Sequence, residues 1–427
     1  MTVDKIESGS DVIIGGVTPW SLILDYLPVF VCSFLVVLLI TPLFRSLAVA
    51  ANVVDNPDSD RKVHRKATPY LGGLAVFTGI LIGVAVSYVL VAGESSEYRP
   101  LPLSIVGGML AIVFTGLADD VWGWDPRLKI AGQLVAAALL ALNDIGTQVA
   151  GGLLGYFFGT SIIEFTIPMP YGVLPVNITE WLGTAIIAVF VIGGCNASNL
   201  IDGLDGLLSG TMVIVSLGLL CLSIMMATTL TAADVEIISR YIPESIAVNE
   251  GVTLSGARIV LCMALMGSVL GFLPHNFNPA TIFLGDCGSL LLGYCSVVII
   301  LMLGEQGQTH LVLAGLLIFG IPIVDTILAI VRRKVQGLPL SAPDASHLHH
   351  VLKAKLGGVK RAVLAVYGLE FCLASLGVIL GSMVLWGDLR VLWIYVIFIL
   401  VYGSVCVIGV KMGLAQKRIK LLAEKNG

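Results

Sequence analysis

Eleven stretches of this chain are apolar for long enough to cross a lipid bilayer, and that leaves it few folds to choose from. A helix needs about 20 apolar residues to traverse the hydrocarbon core. In that medium every backbone polar group must be satisfied within the protein, which leaves helices or closed barrels. Ten runs are well bounded: Tyr26–Phe44, Leu71–Ala92, Pro102–Ala118, Leu182–Ile201, Leu207–Ala233, Ile259–Leu273, Cys287–Gly304, Leu311–Val331, Ala362–Trp386 and Val391–Val410. An eleventh begins at Ile130, and its far end is blurred by Asn143, Asp144 and a glycine-rich tract. Hydrophobic residues make up 57% of the chain and charged ones 12%, about half the charged share of a soluble domain. The reading is an all-α polytopic integral membrane protein with no soluble domain. The turn-rich segment near 163–178, which includes E-F-T-I-P-M-P-Y-G-V-L-P, predicts a short extracytoplasmic hairpin. The eight cysteines show no C-x-x-C spacing and are expected to be small buried hydrophobes.

Eleven spans place the N-terminus outside and the C-terminus inside. Lysines and arginines concentrate in cytoplasmic loops, and this arrangement puts all 24 of them inside except Lys5, Arg99, Arg240, Arg258 and Arg390. Twelve spans would strand the basic loop after Val331 on the wrong side. The expected organisation is an outer segment at 1–25, a transmembrane domain at 26–413 and a basic cytoplasmic tail at 414–427. Cytoplasmic loops fall at 45–70, 119–129, 196–206, 274–287 and 332–361. The first run lacks the basic start and cleavage site of a signal peptide and is expected to be a retained span.

Five polar stretches interrupt the apolar background, all on the inner face by this sidedness. They are A-D-D at Ala118–Asp120, N-L-I-D-G-L-D-G at Asn199–Gly206, F-L-G-D-C-G-S at Phe283–Ser289, a basic loop at Arg61–Lys66, and H-L-H-H at His347–His350. Holding acids at a membrane boundary is costly, so a repeated set of them suggests chemistry on a charged substrate. Asp119 and Asp120 repel each other and need a cation or water nearby. Successive helical residues point about 100° apart, so one faces a ligand while its neighbour shapes the field; a solvated helix end is the competing reading. Asn199, Asp202 and Asp205, three apart, share a face if helical, and Gly203 and Gly206 allow a ligand close. A capping turn competes.

Asp286, between glycines at the start of a span, suits Mg²⁺, which takes one or two carboxylates plus phosphate oxygens and water. Phe283 either stacks on a base or simply packs. The three histidines lack the companion ligands of a zinc site, but imidazoles hydrogen-bond phosphate well near neutral pH. With Arg332, Arg333 and Lys334 they form a cationic loop, for which anchoring to anionic membrane lipid is the bland alternative. Asp325 reads as the partner of a basic residue or as a helix cap, and Glu370 has no evident role. Carboxylates and cations gathered in this way suit phosphoryl transfer between two anions. No Walker A or Rossmann motif is present, and nothing points to nucleic acid.

Taken together, D-N-P-x-x-x-R-K-x-H-x-x-x-x-P-x-x-G-G (Asp55–Gly73), G-L-A-D-D (Gly116–Asp120), N-A-S-N-L-I-D-G-L-D-G-L (Asn196–Leu207), N-F-N-P-A-T-I-F-L-G-D-C-G-S-L (Asn276–Leu290) and H-L-H-H resemble the polyprenyl-phosphate N-acetylhexosamine-1-phosphate transferases. The H-L-H-H form looks more like the undecaprenyl-phosphate GlcNAc-1-phosphate branch than the muramyl-pentapeptide branch, which typically has three consecutive histidines. The resemblance implies a membrane enzyme with a cytoplasmic cleft. A polyprenyl phosphate would attack a UDP-sugar, giving polyprenyl-diphospho-sugar and UMP. It further implies Mg²⁺, with Mn²⁺ as a substitute, on Asp286, with Asp119 and Asp120 toward the metal or lipid phosphate and one of them as base. Asn199, Asp202, Asp205, Asn276 and Phe283 would line the nucleotide pocket. His347, His349 and His350, with Arg332 or Arg333, would contact the diphosphate or sugar, and Arg61, Lys62 and His64 join the substrate-binding set. A homodimer is compatible with the sequence, which leaves the oligomeric state open. Ala345 and Val351 stand where many relatives have basic residues around the histidines, which leaves another UDP-N-acetylhexosamine or a muramyl-pentapeptide donor open. An ion-coupled transporter would place its acids near mid-membrane on broken, symmetry-paired helices. A lipid-binding scaffold would not need them at all.

Overall fold

The computed structural model describes residues 18–55, 68–91, 101–159, 162–169, 172–229, 244–339, 346–387 and 389–426. Arg61, Lys62 and His64 lie outside the described residues. Apolar runs in a medium without water fold as helices because each N–H then finds its partner within the same segment. The described helices are α1 (Pro19–Ala50), α2 (Gly72–Val91), α3 (Leu103–Trp122), α4 (Pro126–Ala141), α5 (Gln148–Phe158), α6 (Ile178–Ile201), α7 (Leu207–Thr228), α8 (Glu244–Asn276), α9 (Gly285–Met302), α10 (Thr309–Ile318), α11 (Gly320–Gln336), α12 (Leu348–Leu356), α13 (Val359–Leu385) and α14 (Leu392–Asn426). Among the described residues nine helices are long and apolar enough to cross a membrane. The run expected at Leu311–Val331 is a bent pair, α10 and α11, turning through 82° at Phe319. The run beginning at Ile130 is α4. Its 16 residues reach about 24 Å, short of the roughly 30 Å core.

Helices do not stop where hydropathy does. The outer segment expected at 1–25 gives way to helix at Pro19, where Thr18 and Ser21 cap each other's backbone: Thr18 Oγ1 accepts from Ser21 N at 3.1 Å, and Ser21 Oγ accepts from Thr18 N at 3.0 Å. At the other end α14 runs through the basic tail without a break. The hairpin is present: β3 (Glu164–Met169) pairs antiparallel with β4 (Gly172–Asn177), Phe165 opposite Val176. Asn177 then caps α6 by accepting from Glu180 N at 3.2 Å. A shorter pair, β1 (Val54–Asp55) and β2 (Thr68–Pro69), is antiparallel with Asp55 opposite Thr68.

The helix α9 is buried along almost its whole length and packs against α2, α3 and α6, so whatever sits at its first turn is held from three sides. Around it, α8 packs on α1 and α7, and α13 packs on α7 and α10. The close approach of α2 to α9 depends on glycine: a Cβ on Gly73 would fall 2.2 Å from the Gly288 nitrogen. The outer helices leave Leu39, Phe371 and Ile399 exposed on the bundle surface. Four of the cysteines, Cys195, Cys262, Cys287 and Cys295, are buried as expected, but Cys372 and Cys406 are exposed.

Candidate active site

The first turn of α9 has backbone N–H groups with no partner within the helix. Asp120, in the last turn of α3, supplies one: its Oδ1 accepts from Asp286 N at 2.8 Å and its Oδ2 from Cys287 N at 3.0 Å. Gly285, at φ +69°, makes the turn into the helix, and a Cβ there would lie 2.5 Å from Asp120 Oδ2. The strand-like segment before it is held by Phe283 N to the Pro69 carbonyl at 2.8 Å and Gly72 N to the Phe283 carbonyl at 3.0 Å. Asp286 is thereby fixed from both directions.

Asp119 and Asp286 meet at a cation. The ammonium of Lys129, in the first turn of α4, lies 2.6 Å from Asp119 Oδ2 and 2.6 Å from Asp286 Oδ2. The other Asp286 oxygen accepts from Asn199 Nδ2 at 2.8 Å, and that amide also reaches Ser289 Oγ at 3.0 Å. Four helix ends, from α3, α4, α6 and α9, thus contribute to one charged centre. All three ionic side chains are partly buried, which raises the cost of any one losing its partners.

Asp202 sits where α6 ends, with its N–H on the Asn199 carbonyl at 3.3 Å. Burial, and then the charges of Asp286, Asp120 and Asp205, push its carboxyl up to about 8. Asp205 points the other way: its Oδ2 accepts from Asn278 Nδ2 at 2.8 Å and from Ala280 N at 3.0 Å. Asn276 is 3% exposed and fully engaged. Its Oδ1 accepts from Ser209 Oγ at 2.7 Å and Gly206 N at 3.2 Å, and its Nδ2 donates to the Ile282 carbonyl at 3.1 Å. Asp205 and Asn276, expected to line a nucleotide pocket, both fasten the 202–206 turn to the 276–282 loop.

The histidine loop reaches the same turn. His349 is 2% exposed and its ring lies against Gly203, where a Cβ would come within 2.3 Å of Nε2. Burial and neighbouring His350 push it down to about 4, so it is a neutral imidazole at physiological pH. His347 Nδ1 bonds Asp325 Oδ2 at 2.7 Å, and Asp325 Oδ1 accepts from Leu348 N at 2.8 Å. Asp325 thus does both jobs the sequence allowed, pairing a basic residue and capping α12. His350 is exposed and its ring centroid is 4.3 Å from that of His349. Arg332 is buried and Arg333 partly so, in the last turns of α11. The partly buried ring of Phe283 stands beside Tyr70, centroids 6.1 Å apart, and burial followed by Asp55 raises the Tyr70 hydroxyl pKa.

The motifs found in the sequence therefore converge, but with their work divided. Asp120, Asp205 and Asp325 brace backbone, whereas Asp119 and Asp286 close on Lys129 and Asp202 stands partly buried beside them. The sequence reading missed Lys129 as a site residue. Its signal was a lone lysine one turn past the Asp125–Pro126 helix start, nine residues after Asp120. Tyr367 was missed as well; its hydroxyl donates to the Gly206 carbonyl.

As for a metal, no group of three His, Cys, Asp or Glu is arranged to hold one among the described residues. What the site offers is two carboxylates already closed around a positive charge, the Lys129 ammonium. That donor set fits Mg²⁺, which takes one or two carboxylates and leaves its other positions to phosphate and water. Asp120 fits less well, since both its oxygens accept backbone N–H groups.

These features define a class: a polytopic membrane protein whose charged centre is assembled from helix ends at one end of its bundle. Residues 102–304 match the model described as Glycosyl transferase family 4, a stretch that includes every acid of the site except Asp325. The chain is 33% identical over 403 residues to the probable undecaprenyl-phosphate N-acetylglucosaminyl 1-phosphate transferase of Bacillus subtilis strain 168, covering 93% of this chain and 97% of that protein. It is 32% identical over 351 residues to the decaprenyl-phosphate N-acetylglucosaminephosphotransferase of Mycolicibacterium smegmatis, covering 76% and 74% of the two chains. Over 402 residues it is 26% identical to the undecaprenyl-phosphate alpha-N-acetylglucosaminyl 1-phosphate transferase of Escherichia coli K12, covering 91% and 94%. The chain belongs to glycosyl transferase family 4.

Proposed function

We propose that this protein transfers N-acetylglucosamine 1-phosphate from UDP-N-acetylglucosamine to a polyprenyl phosphate, releasing UMP and starting a lipid-linked glycan. The relatives' names point to that acceptor and that sugar. The observation that carries the reading is the closure of Asp119 and Asp286 around Lys129, with Asn199 on the far carboxylate oxygen. We place this centre at the cytoplasmic face of the plasma membrane, because the chain's lysines and arginines concentrate in the loops on the side of the acidic motifs.

An oxygen of the lipid phosphate attacks the sugar-linked phosphorus of the donor. The bond from that phosphorus to the bridging oxygen breaks, and UMP leaves with the oxygen. Asp119 orients the acceptor or takes its proton, and Lys129 offers its charge to the incoming anions. Asp286 and Asp119 would hold Mg²⁺, which when bound offsets negative charge on the reacting phosphates. Asp202, protonated near neutral pH, can donate to a donor oxygen. Phe283 and Tyr70 offer an aromatic wall for uracil. His347, His349, His350, Arg332 and Arg333 face the diphosphate or sugar, and Arg61, Lys62 and His64 belong to the same substrate-binding set. Purified protein should release UMP only when polyprenyl phosphate and a divalent cation are both present, and Asp286→Asn should stop it. Equal UMP release without the lipid, or normal turnover in that variant, would sink the reading.

A further inference from the structure

Among the described residues, Glu370 is a fully buried acid that the transfer scheme leaves unused. It lies on α13, is 0% exposed, and its Oε2 accepts from Ile321 N at 2.8 Å. Its other oxygen has no hydrogen-bond partner among the described residues. Ile321 is in the first turn of α11, just past the 82° break. A helix that starts inside a bundle has orphan N–H groups and no water to satisfy them. Pro322 removes one such N–H, and Glu370 takes another. The opposite lip of the break is held too: Tyr402 on α14 donates to the Leu316 carbonyl at 2.7 Å. A carboxylate in this position is costly and calls for a role.

That role is visible in what α11 carries. Asp325 follows Ile321 by one helical turn and holds His347 and the start of α12. Tyr367, one turn before Glu370 on the same face of α13, bonds the Gly206 carbonyl. One helix therefore grips both the acidic turn and the break, and His349 stands against Gly203 of that turn. We propose that Glu370 is a positioning residue for the transfer reaction: by capping α11 at the break, it sets where Asp325 presents His347 and His349 to the 202–206 turn.

The proposal rests on the transferase reading, so its test has one arm that needs no turnover. Glu370→Gln keeps an oxygen for Ile321 N, whereas Glu370→Leu removes it. In Glu370→Leu, hydrogen–deuterium exchange should rise in peptides spanning 320–326 and 347–352, with the rest of the bundle unchanged. The donor kcat/KM should fall about tenfold or more, as small misplacements of contact groups do, while the KM for lipid phosphate holds. Glu370→Gln should restore both to near the parent. Parent-like exchange and donor kinetics in Glu370→Leu would overturn the proposal, as would exchange raised throughout the bundle with both substrates affected alike. A Glu370→Gln variant as defective as Glu370→Leu would overturn it too. If the parent releases no UMP under any condition, the transferase reading fails, and the exchange arm still decides the cap.

Discussion

Replacing Lys129 by glutamine should make the site bind a divalent cation more tightly while making the enzyme slower. Asp119 Oδ2 and Asp286 Oδ2 each lie 2.6 Å from the ammonium, so they are no more than about 5 Å apart. Two unit charges at that distance repel by about 3 kcal/mol at an effective dielectric near 20. Their side chains are 16% and 24% exposed, so solvent screening trims that figure. With half of it surviving, about 1.5 kcal/mol remains for a divalent ion to relieve, which is slightly more than a tenfold tighter Kd. Turnover should fall over the same substitution, because the charge offered to the two phosphate reactants is lost. Titrating purified protein with Mn²⁺ and following the free ion by electron paramagnetic resonance measures the affinity directly. A folded Lys129→Gln protein that binds Mn²⁺ no better than the parent would refute the idea that ammonium and metal share the two carboxylates.

Asp120→Ala leaves the partly buried N–H groups of Asp286 and Cys287 at the start of α9 without their acceptor, a loss of about 1–3 kcal/mol per unsatisfied group, so its melting temperature in detergent should drop clearly, with Asp120→Asn falling between it and the parent. Asp325→Asn and His347→Gln should each slow transfer and, because they act through one contact, the double variant should be scarcely slower than either; additive losses would separate them. Asp202 has its folded carboxyl raised to about 8, so the unfolded chain ionises first and this group's contribution to stability is lost as pH climbs from about 4 through 8. Asp202→Asn in chelator should therefore melt like the parent near pH 4 and increasingly above it toward pH 9, as a thermal-shift series would show.

Much of this was legible in the sequence because bilayer physics is simple. Twenty apolar residues make a helix, and Asp119, Asp202 and Asp286 stand out against such a background. The hairpin at 164–177 was legible from its turn residues. The division of labour among the acids was not. Asp120 and Asp286 read alike as acids at span ends, yet one caps the helix that the other begins, a relation between residues 166 apart in the chain. The break at Phe319 was hidden because its stabilisers, Glu370 and Tyr402, belong to later helices. Lys129 was counted only as a marker of sidedness, since nothing local says that its side chain turns back between two carboxylates.

Asp119 and Asp286 are proposed to share one divalent ion. A crystal structure of the protein soaked in Mn²⁺, phased at the manganese edge, locates that ion without assuming any activity. The predicted result is a single strong anomalous peak bridging the two carboxylates, with the Lys129 ammonium displaced from between them. A peak elsewhere in the bundle, with Lys129 still seated between Asp119 and Asp286, would contradict it.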